Sequence, residues 1–150
     1  MSSRQEDKII DGVQSFLEDG EEVQGAIVAR PRGWTQAMAG SLNLGAHQQG
    51  KAREGAKAAG FQLASPMALV LTQRRLLSFE IGSPIGMGKG GAVKDLVGSA
   101  PIAEVDSIEV KRLLLGKVVN VSVRGVPFKL EVNAKADAGG LADAFNRARA

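Results

Sequence analysis

Apolar residues recur at helical spacing near the start of the chain, where Ile9, Ile10, Val13, Phe16 and Leu17 form one stripe between polar neighbours. The spacing predicts an amphipathic helix over residues 4–17. Ser3 and Glu6 ahead of the stripe have the spacing of a capping box. Gly12 weakens such a helix by up to about 1 kcal/mol relative to alanine, so it is expected to depend on docking. Glu18, Asp19 and Gly20 read as a turn. Val23, Gly25, Ile27 and Ala29 then alternate with Gln24, Ala26 and Val28, which predicts a strand over residues 21–30 ended by Pro31.

The pattern lapses after that strand. Glycines at 33, 40, 45, 50, 55 and 60 stand among alanines, with Trp34, Met38, Leu42 and Leu44 as the large apolar groups. A five-residue spacing matches neither the helical nor the strand period and defines no face. Residues 33–60 are therefore expected to be a Gly/Ala-rich insertion, partly helical and mobile. Order returns with MALVLTQRRLLSFEI, two apolar runs joined through Gln73 and Arg74, which reads as a hairpin. A glycine-rich loop, GSPIGMGKGG, and a short stretch, AVKDLVGS, precede a strand expected to start at Pro101 in PIAEVDSIEVKR. KVVNVSV and VPFKLEV flank Arg124 and Gly125, and Val126, Phe128, Leu130 and Val132 alternate strictly with Pro127, Lys129 and Glu131. That is a half-buried hairpin with one wet face. Asp137 precedes a last helix with Leu141, Ala144, Phe145 and Ala148 on one side and Arg147 and Arg149 near its C-terminus.

A chain of 150 residues suits one domain with one core, so residues 1–150 are taken as a single unit. The absence of cysteine removes disulfides, thiol nucleophiles and zinc knuckles and makes the cytoplasm the expected location. MSSRQEDKII lacks the basic and apolar regions of a signal peptide, and no run approaches roughly 18 apolar residues, so neither export by that route nor a spanning helix is expected. The net charge of +3 is unevenly spread, with −5 over residues 1–29, +4 over 30–57 and +4 over 58–150. An acidic head on a basic body can attract its own chain as readily as a partner.

Little in the sequence carries chemistry. Gly86, Gly88 and Gly91 spell G-x-G-x-x-G, but only AVKDLVGSA separates them from Pro101, and antiparallel hairpins follow where a dinucleotide fold needs a parallel unit. Lys89 is followed by Gly90 and Ser83 stands where a phosphate loop needs glycine, so no nucleotide cofactor is expected. His47 is the one histidine, and Glu18, Asp19, Glu21 and Glu22 lack calcium-loop spacing, so no metal is expected. Without a nucleophile elbow, a second histidine or a carboxylate dyad, the chain is read as no enzyme, with no small-molecule substrate. Aromatics at 4% and the lack of tyrosine argue against nucleic acid.

The order LVLTQRRLLSF, PIAEVDSIEV, VSVRGVPFKLEV and a closing helix resembles the bacterial pleckstrin-homology-like domains. The likeness rests on Leu71, Thr72, Gln73, Arg74, Arg75 and Leu76 for the family phrase Leu-Thr-x-x-Arg-Leu, with Pro101, Ile102 and Val105 as a weaker second match. It spans residues 21–32 and 66–149. It implies a mainly β fold with flanking helices: a partly open barrel of two antiparallel sheets, capped by the C-terminal helix. The insertion after the first strand falls where related domains place ligand-contacting loops.

The expected function is a non-catalytic interaction module that binds protein or self-associates through this barrel; the alternative is peripheral binding of anionic lipid head groups through basic loops. Candidate contacts are Arg30, Arg32, Trp34, Arg74, Arg75 and Lys89. Arg74 and Arg75 can bind phosphate with Lys111, Arg112 or Lys117 if the barrel brings those loops together, or else pair with acids such as Glu80. Trp34, Met38 and Leu42, beside Arg30 and Arg32, suit an anionic membrane surface, but more readily a barrel edge or another subunit.

Overall fold

The computed structural model describes residues 4–31, 56–57, 60–64, 66–82, 93–113, 116–132 and 137–149. Helix α1 (Arg4–Val13) runs into a 3-10 turn at Gln14–Phe16. The strands are β1 (Val23–Pro31), β2 (Met67–Thr72), β3 (Arg75–Ile81), β4 (Val93–Pro101), β5 (Val105–Leu113), β6 (Gly116–Val123) and β7 (Val126–Val132), with a 3-10 turn at Ile102–Glu104 between β4 and β5. Helix α2 (Ala138–Arg149) closes the chain.

All seven strands form one antiparallel sheet in the order β4-β3-β2-β1-β7-β6-β5. The two sheets expected from the sequence are joined through β1, where Ala29 lies opposite both Met67 of β2 and Val132 of β7. The terminal strands β4 and β5 do not pair, so the sheet curls without closing. Inside the curl lies the larger core, with Leu69, Leu71, Val119, Val121, Leu130 and the α2 residues Leu141 and Phe145. A second core lies on the opposite face of β1–β4, where Ile9 and Val13 of α1 meet Ala68, Val70, Leu77 and Phe79. Phe16 stands edge-on to Phe79 at 5.3 Å between ring centres. Every residue of β2 is buried because the strand is covered on both sides, which is why MALVLT shows no alternation.

Helix α1 rests on docking, as its sequence requires. A Cβ on Gly12 would come within 2.9 Å of Val93 Cγ2 and 3.1 Å of Val93 Cβ, so glycine sets the distance between α1 and β4. Gly12→Ala is therefore expected to destabilise by about 1 kcal/mol, because the clash with a branched side chain outweighs the gain in helix propensity. Urea unfolding checks it; a stabilised variant would show that α1 is free to shift.

Two expectations change. Within the short stretch AVKDLVGS the chain forms strand β4 from Val93, and Pro101 ends that strand rather than starting the next. The register between β3 and β4 shifts at Ser78/Phe79 and at Glu80/Ile81, which breaks the period-2 pattern. The strand expected from Pro101 begins at Val105, after the 3-10 turn. The capping box lies outside what the structure describes, as does most of the insertion. At the insertion's end, Ala56 and Lys57 are helical and Ala56 is fully buried. The amides of Gly60 and Phe61 donate to the carbonyls of Lys57 and Ala56, and Gly60, with a φ of +75°, is the left-handed residue of a Schellman cap.

Phe61 then enters the gap that the unpaired strands leave. It bridges Gly98 of β4, stacks on Phe128 of β7 at 5.7 Å and is fully buried. At the other hairpin, Arg124 and Gly125 take φ of 51° and 79°, the signs of a type I′ turn. The turn is tied to the start of β5: the Arg124 amide donates to the Glu104 carbonyl and the Gly125 amide to Asp106 Oδ2.

Candidate interaction surfaces

The family-like phrase Leu71–Leu76 is a latch. Thr72 and Arg75 close β2 and open β3, and both reach Glu21 in the loop that follows α1. Arg75 Nε donates to Glu21 Oε2 and its Nη2 to Glu21 Oε1, each at 2.9 Å. Thr72 Oγ1 donates to Glu21 Oε2 at 2.7 Å, and the Glu18 amide donates to Glu21 Oε1 at 3.0 Å. Arg75 Nη2 also donates to the Phe16 carbonyl, and Gln73 joins the same loop by donating to Gly20 O and accepting from the Glu22 amide. The Glu21 side chain is completely buried and that of Arg75 is 19% exposed. The hydrogen bonds from Arg75 hold the Glu21 carboxyl down at about 2 against burial, which raises it, with help from the Glu18 amide and the Thr72 hydroxyl. The same pair raises Arg75.

Arg75 is thus committed to the fold, and its acid is Glu21, 54 residues earlier, in place of the expected Glu80. Glu80 instead faces Met67 and Asp95 across its strand neighbours. Arg74 is exposed; its amide donates to Thr72 Oγ1 and its carbonyl accepts from Ile102 N. The phosphate cluster of Arg74 and Arg75 with Lys111, Arg112 or Lys117 does not form. Arg75 lies opposite Pro101 near the start of β5, whereas Lys111 lies six residues along that strand from Val105, about 20 Å away at strand rise. Arg30 is half-buried and opposite Glu131; burial lowers its pKa and the Glu131 charge opposes that. Arg32, Trp34 and Lys89 lie outside the described residues.

The strand register makes a different group. Arg112 lies opposite Lys117 and Lys111 opposite Val118, which gathers three cations at the β5–β6 hairpin. β5 itself has β6 as its one strand partner among the described residues. One carbonyl near its start is covered: that of Asp106 accepts from Arg149, whose guanidinium also lies over the Phe145 ring. Beyond that point Glu109, Lys111 and Arg112 are exposed, Val110 is half-buried and Ile108 faces the core. The opposite edge strand, β4, is bridged at Gly98 by Phe61. Periodicity located β5 but gave no sign that it would end the sheet, because strand order is a long-range property. Among the described residues no three His, Cys, Asp or Glu side chains group as metal ligands, and no helix is long and apolar enough to cross a membrane.

No family model matches the sequence, and no curated protein matches it. Among solved structures, a pleckstrin homology domain from Shewanella amazonensis SB2B aligns over 100% of this chain and 92% of its own, with a TM-score of 0.52 and 14% identity. A DUF1696 family protein with a pleckstrin-homology domain from Shewanella loihica PV-4 aligns over 94% of this chain and 93% of its own, with a TM-score of 0.47 and 15% identity. The fold of the chain is pleckstrin-homology-like.

Proposed function

We propose that this pleckstrin-homology-like chain is a non-catalytic interaction module that binds protein, another copy of itself included, through the exposed edge of its sheet. The observation that carries the reading is the position of β5 at the end of the strand order, with β6 as its one strand partner and Glu109, Lys111 and Arg112 exposed among the described residues. A strand edge presents backbone donors and acceptors that an extended segment satisfies by adding a strand, and the alternating side chains select which segment fits. The charged groups that the sequence offered for a ligand support this more than a pocket: Arg75 is consumed by the Glu21 latch.

Size-exclusion chromatography with light scattering over a range of concentrations, joined to a pull-down with the tagged chain, tests it. Saturable self-association or a saturable protein complex is expected. A strict monomer that retrieves no protein would remove the reading.

A second reading has its own observation, the cations Lys111, Arg112 and Lys117 at one hairpin. Basic side chains gathered at one end of a sheet attract an anionic head-group layer. Co-sedimentation with phosphatidylserine vesicles at two salt concentrations checks it: binding at low salt that weakens as salt rises is expected. No binding at low salt excludes lipid.

A further inference from the structure

Glu109 and Lys111 alternate with Ile108, Val110 and Arg112 along β5, so the registers open to a partner strand differ in charge. Resting on the self-association reading above, we infer that two chains pair antiparallel along β5, about a two-fold axis through Val110.

In a symmetric antiparallel pair, side chains on one face meet side chains on the same face of the partner strand. Glu109 and Lys111 share the outer face of β5, opposite Asn120 and Val118 of β6, and both are exposed. An axis through Glu109 sets that carboxylate against its own copy, and an axis through Lys111 does the same for the ammonium. An axis through Ile108 runs the pair toward Asp106, whose carbonyl already accepts from Arg149. With the axis through Val110, each Glu109 faces the Lys111 of the other chain, so the symmetry makes two attractive pairs. On the inner face the half-buried Val110 meets Val110. Charges on edge strands ordinarily discourage pairing. Here they disfavour the neighbouring registers and favour one.

Charge reversal tests the register. Glu109→Lys makes both pairs Lys with Lys, and Lys111→Glu makes both Glu with Glu, so each variant alone is expected to weaken the dimer about tenfold. Both positions are exposed, and a lysine at 109 would stand opposite Asn120, whose Oδ1 is buried without a hydrogen-bond partner, so the fold is not expected to suffer. An equimolar mixture of the two variants is expected to form a heterodimer as tight as the wild-type dimer, and the double exchange Glu109→Lys with Lys111→Glu to restore homodimers.

Sedimentation equilibrium of the full chain reads these masses, and circular dichroism confirms each variant as folded. Single variants that dimerise like wild type would overturn the β5 register and leave self-association standing. A dimeric wild type with weakened single variants but no recovery in the mixture would overturn the pairing about Val110. A wild type that stays monomeric at every concentration would overturn the inference together with self-association, and a protein captured in the pull-down would then leave the wider protein-binding reading intact.

Discussion

Replacing Arg75 with alanine is expected to cost the fold about 3–4 kcal/mol in urea unfolding at pH 7, among the largest losses open to a residue at a turn. The substitution leaves the Glu21 carboxylate inside the protein without its cation, and an uncompensated buried charge costs far more than a surface pair is worth. Arg75→Lys is expected to recover only part, since one ammonium cannot reproduce the paired bonds of Nε and Nη2 to the two carboxylate oxygens. Glu21→Gln combined with Arg75→Met removes both charges and is expected to be more stable than Arg75→Ala alone. A single Arg75→Ala variant as stable as wild type would mean that the loop after α1 opens to water at little cost.

The same pair fixes an acid limit. The Glu21 carboxyl titrates at about 2 in the fold against an ordinary value of 4.5. A depressed folded pKa stabilises the native state above the unfolded value and loses that stabilisation as pH falls from 4.5 toward 2. The difference corresponds to about 3 kcal/mol. Wild-type stability is expected to fall through this window. In Arg75→Ala the slope from Glu21 is expected to vanish or reverse, because burial without the arginine raises the carboxyl. Unfolding curves at pH 6, 4 and 3 for both proteins separate this contribution from those of other carboxylates.

What the sequence made legible follows from the range of each interaction. The β2–β3 and β6–β7 hairpins were readable because their turns and flanking apolar positions are adjacent in sequence. The loop between β2 and β3 is Gln73 and Arg74, as the pattern predicts, and Arg124 with Gly125 turns the second hairpin. Strand β4 was hidden because two register shifts disturb its alternation. The candidate surface was the least legible part. A pair of arginines reads as a ligand site until Glu21 is brought to Arg75 from 54 residues away. Nothing within residues 105–113 states that β5 ends the sheet; that depends on β1 pairing with both β2 and β7.

The gap between β4 and β5 leads to the second large effect. Phe61→Ala is expected to cost about 3–5 kcal/mol, since a fully buried ring stacked on Phe128 is lost. Phe61→Leu keeps much of the apolar volume and is expected to cost about 1–2 kcal/mol. Gly98→Ala attacks the same junction from the strand side: its Cβ would come within 2.5 Å of Ser78 Oγ and 2.6 Å of the Gln62 carbonyl. That carbonyl also accepts the hydroxyl of Ser78 at 2.6 Å, so the added methyl group is expected to push the Gln62 backbone from β4 and break this part-buried hydrogen bond. Amide exchange distinguishes a local from a global effect. If Phe61 is the cover of the β4 edge, Phe61→Ala and Gly98→Ala speed exchange in β4 more than in β6, which lies inside the sheet between β5 and β7. Equal acceleration in β4 and β6 would instead mean that Phe61 supports the core as a whole, and that the open side of the curl is held by the strands alone.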